Sequence, residues 1–212
     1  MNQATAQGRF ITFEGIDGSG KSTQAKRLAS ALADAGYDVI HTREPGGSAG
    51  AEAIRELVLT GDPDRWSETT ELLLFTAARR DHLERLIAPS LAAGKIVICD
   101  RFVDSTRIYQ GATRGDLRAT VDKLHDLMIN KTPDLTFILD ADPAISLQRG
   151  LSRGGEELRF ERFGLEMQQR ARAGFLEIAA GEPERCRVIN ADRSQDAIAQ
   201  DILAAALAAL QT

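Results

Sequence analysis

The chain has 212 residues, 43% of them hydrophobic and 27% charged, with a net charge of −5. That is enough for one globular domain with a substantial core, and an acidic balance argues against a general nucleic-acid binder, which presents a basic surface. Two cysteines (Cys99, Cys186) and three histidines (His41, His82, His125) show no metal-ligand spacing. The first residues are polar without the apolar core of a signal peptide, and no run reaches transmembrane length, so a cytoplasmic protein without membrane contact is expected.

After an expected loose tail over residues 1–8, residues 10–13 read as a short buried strand. It runs into Gly15–Ser22, which fits G-x-x-x-x-G-K-[ST], and then into a stretch of strong helix formers. A phosphate-binding loop needs this order. Gly15, Gly18 and Gly20 permit backbone turns that other residues resist, so the amides of Gly15, Ile16, Asp17, Gly18, Ser19, Gly20, Lys21, Ser22 and Thr23 can surround a nucleotide phosphate. The helix that follows points its positive end at the same anion, Lys21 adds a mobile charge, and the Ser22 hydroxyl is placed for Mg²⁺. The ligand implied is a nucleoside triphosphate.

Further along, short apolar strands alternate with helical segments. Strands are expected at 38–42, 96–100, 135–140 and 187–190, and helices at 48–60, 67–93, 103–112, 117–130, 143–151, 162–180 and 194–210. Continuous apolar strands suit a parallel sheet covered on both faces, so the fold expected is a doubly wound α/β single domain over 1–212, with ligands outside the carboxyl ends of the strands. Polar residues gather at those ends: the P-loop, Arg43-Glu-Pro-Gly-Gly47, and Asp100-Arg-Phe-Val-Asp-Ser-Thr106. Asp100 ends an apolar strand, the position at which P-loop enzymes keep a Mg²⁺-binding carboxylate. A lone aspartate there more often caps the next helix, and the P-loop context tips the reading to metal. The fixed fork of Arg101 beside it suits a phosphate.

Taken together, the segments Phe10–Thr23, Thr42–Gly47 and Val97–Gly111 resemble the bacterial thymidylate kinases, which phosphorylate dTMP with ATP. The resemblance covers residues 8 to 210. It implies a P-loop NTPase fold with a five-stranded parallel sheet, a mobile lid over about 149–162, and a homodimer packed through helices. It implies that Asp17 meets the 3′-hydroxyl of dTMP, that Phe75 stacks on thymine, and that Arg79 reaches the base and the acceptor phosphate. It further implies that Arg101 bridges the two phosphates, that Thr106 lies near the base edge, that Tyr109 crowds C2′, and that the loop from Arg43 lines the monophosphate site. Two departures stand out. Ala78 occupies a position often held by Asp in the family, which bears on the support of Arg79. Ser19 stands where one branch carries Arg, and the branch without it draws charge from the lid, here Arg153 beside the Gly154–Gly155 hinge.

The chemistry implied is phosphoryl transfer between two anions. It asks for positioning and charge neutralisation by Lys21, Arg101, Mg²⁺ and Arg153, and it needs no general base, because the acceptor phosphate is already ionised near neutral pH. A GTPase reading fails on Asn130-Lys-Thr-Pro-Asp134, where Pro133 takes the place of the guanine-reading aspartate. A deoxynucleoside kinase would need a base such as Glu14 or Asp100 for a neutral hydroxyl, and the Arg-Glu-Pro-Gly-Gly loop speaks instead for an acceptor that already bears a phosphate.

Overall fold

A computed structural model describes residues 8–62, 65–112, 116–152 and 164–211, leaving aside the side chains of 150–152. Five strands, β1 (Arg9–Glu14), β2 (Val39–Arg43), β3 (Ile96–Asp100), β4 (Leu135–Asp140) and β5 (Cys186–Asn190), form one sheet in the order β2-β3-β1-β4-β5. Every pairing is parallel. All five expected strands are present, with ends shifted by a single residue or not at all.

The central strands are buried on both faces because their apolar residues alternate in direction. Ile11 and Phe13 of β1, Ile98 of β3 and Phe137 of β4 pack against α1 (Lys21–Asp34) and α9 (Gln195–Leu210) through Leu28, Leu32, Ile198 and Ile202. Phe10, Val97 and Cys99 point the other way, into a cluster with Leu72, Ile87, Phe102 and Val121. Between β2 and β3 lie α2 (Ala49–Leu59), α3 (Glu68–His82) and α4 (Ala88–Ala92), and between β3 and β4 lie α5 (Val103–Thr106) and α6 (Arg118–Leu124). Next come α7 (Pro143–Ser152) and α8 (Gly164–Gly181). The long helices expected from sequence are present but not uniform. Those expected at 67–93, 103–112 and 117–130 widen into a π-helical turn, at Leu83–Ile87, Arg107–Ala112 and His125–Ile129. At the first of these the cause is visible: Pro89 has no amide to donate back into the preceding turn.

The strand order reverses around β1. The chain runs out to β2, returns to β3, then crosses to β4 on the far side of β1. A crevice at the carboxyl ends follows from that topology. The lid expected at 149–162 begins on the last turn of α7, and its remainder, with Arg153 and Gly154–Gly155, lies outside the described residues. Among the described residues, no helix is long and apolar enough to cross a membrane.

Behind the crevice, Asp104 of α5 is buried between two arginines. Arg185 donates to both its oxygens, at 2.7 and 3.1 Å, and Arg107 donates at 2.8 Å. Arg185 also donates to Thr136 of β4 at 2.8 Å, and the Thr136 hydroxyl meets that of Thr12 on β1 at 2.8 Å. Burial alone would raise the Asp104 pKa, but the bonds and charges of Arg185 and Arg107 hold it below the usual value. Removing the carboxylate breaks two buried pairs and leaves Arg185 and Arg107 with the more exposed Glu182 and Asp122, so Asp104→Ala should destabilise the fold by about 3 kcal/mol in urea unfolding. A loss under about 1 kcal/mol, the scale of an exposed pair, would show that the cluster is not a buried anchor.

Candidate active site

The site grows from the junction of β1 and β3. Past Glu14 the chain turns through Gly15–Gly20, and the glycine at 18 is required by contact as well as by conformation. Its φ is +82°, and a Cβ there would fall 2.0 Å from the Ser146 carbonyl oxygen of α7. Lys21, the first residue of α1, is buried, and its Nζ donates to the Ile16 carbonyl at 2.7 Å, bending the side chain back over the loop. Burial, and after it the nearby Arg101 charge, push its ammonium pKa down to about 8. The next residue, Ser22, donates its hydroxyl to Asp100 Oδ2, while Asp100 Oδ1 is buried with no hydrogen-bond partner.

Arg101 sits on a strained turn. Its φ is +70°, a left-handed conformation that disfavours a residue with a Cβ by about 1–2 kcal/mol. The guanidinium donates to Asp17 and, at 2.9 Å, to the Ser105 hydroxyl, and lies 5.2 Å from the centre of the Tyr109 ring. Burial would lower its pKa, but Asp17, with help from Asp100 and Glu14, holds it above arginine's ordinary value. A second buried arginine, Arg79 of α3, donates to Glu44 Oε2 at 2.6 Å and to the Thr106 hydroxyl at 2.9 Å. His82 Nδ1 meets the other Glu44 oxygen at 3.1 Å, and His82 Nε2 meets the Thr42 hydroxyl at 2.8 Å. Burial tends to raise the Glu44 pKa, but Arg79 and His82 together pull it below the usual carboxylate value. Glu44, His82 and Cys99 bring three potential metal ligands within 4.8 Å of one another. Glu44 and His82 are already engaged with Arg79, Thr42 and each other, Cys99 donates to the Arg101 carbonyl at 3.0 Å, and a cation there would face the Arg79 guanidinium, so this cluster reads as support for Arg79.

These groups surround one cavity of about 800 Å³, a volume that suits small-molecule ligands. Asp17, Gly18, Gly20, Lys21, Ser22, Arg43, Phe75, Arg79, Asp100, Arg101 and Tyr109 all line it. One end is the P-loop. The other is walled by Phe75, which packs on Val58 and Leu59 of α2. Lys21, Arg43, Arg79 and Arg101 place cationic groups along its walls, of a kind suited to anions.

The family model for thymidylate kinase matches residues 13–202. The chain belongs to the thymidylate kinase family. The curated thymidylate kinases of Dinoroseobacter shibae and Caulobacter vibrioides are similar to it at 64% and 56% identity. The alignments cover 94% and 91% of this chain, and 97% and 92% of those proteins. Among solved structures, the thymidylate kinase from Ehrlichia chaffeensis superposes with a TM-score of 0.78 at 38% identity, covering 94% of this chain and 98% of that one. Membership of this family makes the chain a nucleoside monophosphate kinase.

Of the residues expected from sequence, the remaining P-loop positions lie off the cavity wall. Gly15 and Ile16 face Leu139 of β4 and a small void beside α8, Ser19 is buried, and Thr23 is exposed. Thr106 is buried behind Arg79, off the cavity wall. Arg153 lies outside the described residues. Sequence reasoning missed Gln110 and Arg55, which both face the cavity, and Ser105, which orients Arg101. Gln110 donates to the buried Glu71 at 3.0 Å. Its only signal was its place beside Tyr109.

The lowered Lys21 pKa makes anion binding proton-linked. In the unfolded chain the ammonium titrates near 10.5 and in the fold near 8, so the penalty on the charged form holds below about 8 and is relieved as pH rises from there towards 10.5. A phosphate at the P-loop favours the charged form and reverses the shift. Binding of inorganic sulfate, which does not titrate there, at pH 8.5 should therefore take up roughly half a proton or more, read by calorimetry in two buffers of different ionisation enthalpy. Lys21→Met should abolish the uptake, and equal heats in both buffers with the native protein would refute it.

Proposed function

We propose that this chain transfers the γ-phosphoryl group of ATP to dTMP, giving dTDP and ADP for dTTP synthesis. The observation that supports the reading is one cavity with cationic groups at both ends: Lys21 in the P-loop, and Arg79 braced by Glu44 beside Phe75, with Arg101 also on the wall. ATP enters at the P-loop end. dTMP takes the other, with Phe75 against the base, Arg79 and Arg43 towards its phosphate, Asp17 at the sugar, and Tyr109 limiting room at C2′.

The acceptor oxygen of dTMP is ionised near neutral pH, since a phosphate monoester loses its second proton near pH 6. No side chain has to remove a proton. Lys21 and Arg101 offset the charge of two anions brought into line, and Arg153, from the lid, adds charge on closure; arginines of this kind contribute on the order of 10³-fold in other P-loop enzymes. For Mg²⁺ the donor set fits: a serine hydroxyl beside a carboxylate with one buried oxygen that lacks a hydrogen-bond partner is an oxygen site suited to a hard cation. Ser22 and Asp100 would hold the ion, which when bound neutralises charge on the transferring phosphates.

The partner proposed is a second copy of the chain. Leu73 of α3 is 52% exposed, and Leu127 and Met128 of the π-helical turn after α6 are 76% and 47% exposed. Leu73 and Arg80 lie two turns apart on one face of α3, and Arg80 donates to the Met128 carbonyl at 2.6 Å, so the apolar side chains gather on one surface. Light scattering should give twice the chain mass of 23.0 kDa, and Leu127→Asp should give the monomer; a native monomer would remove the proposal. A cytoplasmic location accords with the nucleotide substrates.

The deciding assay is ADP release with MgATP over a panel of acceptors. dTMP should be converted and thymidine left nearly untouched. Faster turnover of thymidine than of dTMP would overturn the reading, since the arginines around the second end would then have no phosphate to meet.

A further inference from the structure

We infer that Glu14 is a positioning residue for phosphoryl transfer: its carboxylate holds the Arg101 turn by the backbone and, through the Ser105 hydroxyl, orients the Arg101 guanidinium. The inference rests on the kinase reading above and adds a residue to it that touches no substrate, since Glu14 is fully buried and absent from the cavity wall.

The geometry runs in one direction. Strand β3 pairs with β1 as far as Asp100, opposite Phe13. The next amide, that of Arg101, still donates to the Phe13 carbonyl, at 2.9 Å. Arg101 then turns into the left-handed region, and the Phe102 amide donates to Glu14 Oε1 at 2.7 Å instead of to a strand carbonyl. The side chain of Glu14 thus continues the ladder where the backbone leaves it. Its other oxygen, Oε2, accepts the Ser105 hydroxyl at 2.6 Å. With that proton committed to Glu14, the Ser105 oxygen offers its lone pairs to Arg101, whose Nη1 donates at 2.9 Å. Arg101 donates to Ser105, Ser105 donates to Glu14, and the relay needs an acceptor at both carboxylate oxygens.

The relay is the arm of Arg101 that a ligand leaves in place. Nη2 is held by Asp17, which faces the cavity and competes there with any incoming anion. The Glu14 end is sealed behind the turn. Once a phosphate engages Arg101, the Ser105–Glu14 arm is what keeps the planar fork aimed, and a fork that must bridge two phosphates tolerates little rotation.

Glu14→Gln keeps the volume and an oxygen for the Phe102 amide, but turns an amide NH₂ towards Ser105 and so reverses the polarity of the relay. With dTMP and MgATP, kcat should fall about tenfold, the scale of a slightly misplaced catalytic group, while both KM values stay within about threefold. Ser105→Ala should do the same. The double variant should be no more than about twofold slower than the worse single one, because both changes cut one arm. Native kcat in Glu14→Gln, single effects that multiply, or a raised KM with intact kcat would each overturn the inference. If Glu14→Gln fails to fold, Ser105→Ala decides alone, and native kcat there overturns it. The native protein in the same assay separates the two claims: no dTMP turnover sinks the kinase reading, whereas native turnover with unaffected variants sinks only the role of Glu14.

Discussion

Everything at this site depends on keeping cations buried before any phosphate arrives. Lys21, Arg79 and Arg101 are largely withdrawn from water, and a buried charge without a partner is heavily penalised. Each is answered differently. Arg79 has a buried carboxylate, Glu44. Arg101 has Asp17, which also faces the cavity. Lys21 has a backbone carbonyl and, among the described residues, no carboxylate within bonding distance, and its pKa is lowered. The three therefore differ in how readily they accept a ligand: Arg79 is locked, Arg101 is shared, and Lys21 gains most from an incoming anion.

Much of the fold was legible because its signals are local. Buried parallel strands are continuous apolar runs, and 96–100 and 135–140 end at aspartates that close the apolar run. The P-loop was legible for the same reason, since all its parts lie within eight consecutive residues. The π-helical turns were not, because one extra residue in a helical turn leaves no mark on an apolar periodicity read over a dozen residues. Phe75 sits in the apolar run Leu72-Leu73-Leu74-Phe75 and looks like core from its neighbours alone. Only the resemblance singled it out, and the cavity wall is where it lies.

The support of the site was the least legible part, for a topological reason. Glu44 meets Arg79 across 35 positions, His82 meets Thr42 across 40, and Glu14 meets Phe102 across 88. Such pairs are made by strand order, and no spacing rule reaches them. Ala78 is a case in point. Read beside the family, it is a missing carboxylate next to Arg79. In the fold, Ala78 is buried where a side chain of that size fits, and Arg79 takes its carboxylate from Glu44 on the loop after β2, with Thr106 from α5 on the other side. The support of Arg79 comes from other elements than its own helix.

Under the phosphoryl transfer proposed above, the Asp17–Arg101 pair links these buried charges to turnover. A phosphate that reaches Arg101 replaces a carboxylate and does not fill an empty cationic hole, so binding yields only the difference between two ion pairs. That limits ground-state affinity and leaves the full fork available as charge moves between two phosphates, which is when an interaction raises rate rather than merely tightening binding. For the exchange to work, Arg101 must keep its direction while its partner changes. The left-handed turn at Arg101 is the local strain that such fixity entails, and it persists because the β1 carbonyl of Phe13 and the carboxylate of Glu14 take the two successive amides that hold it.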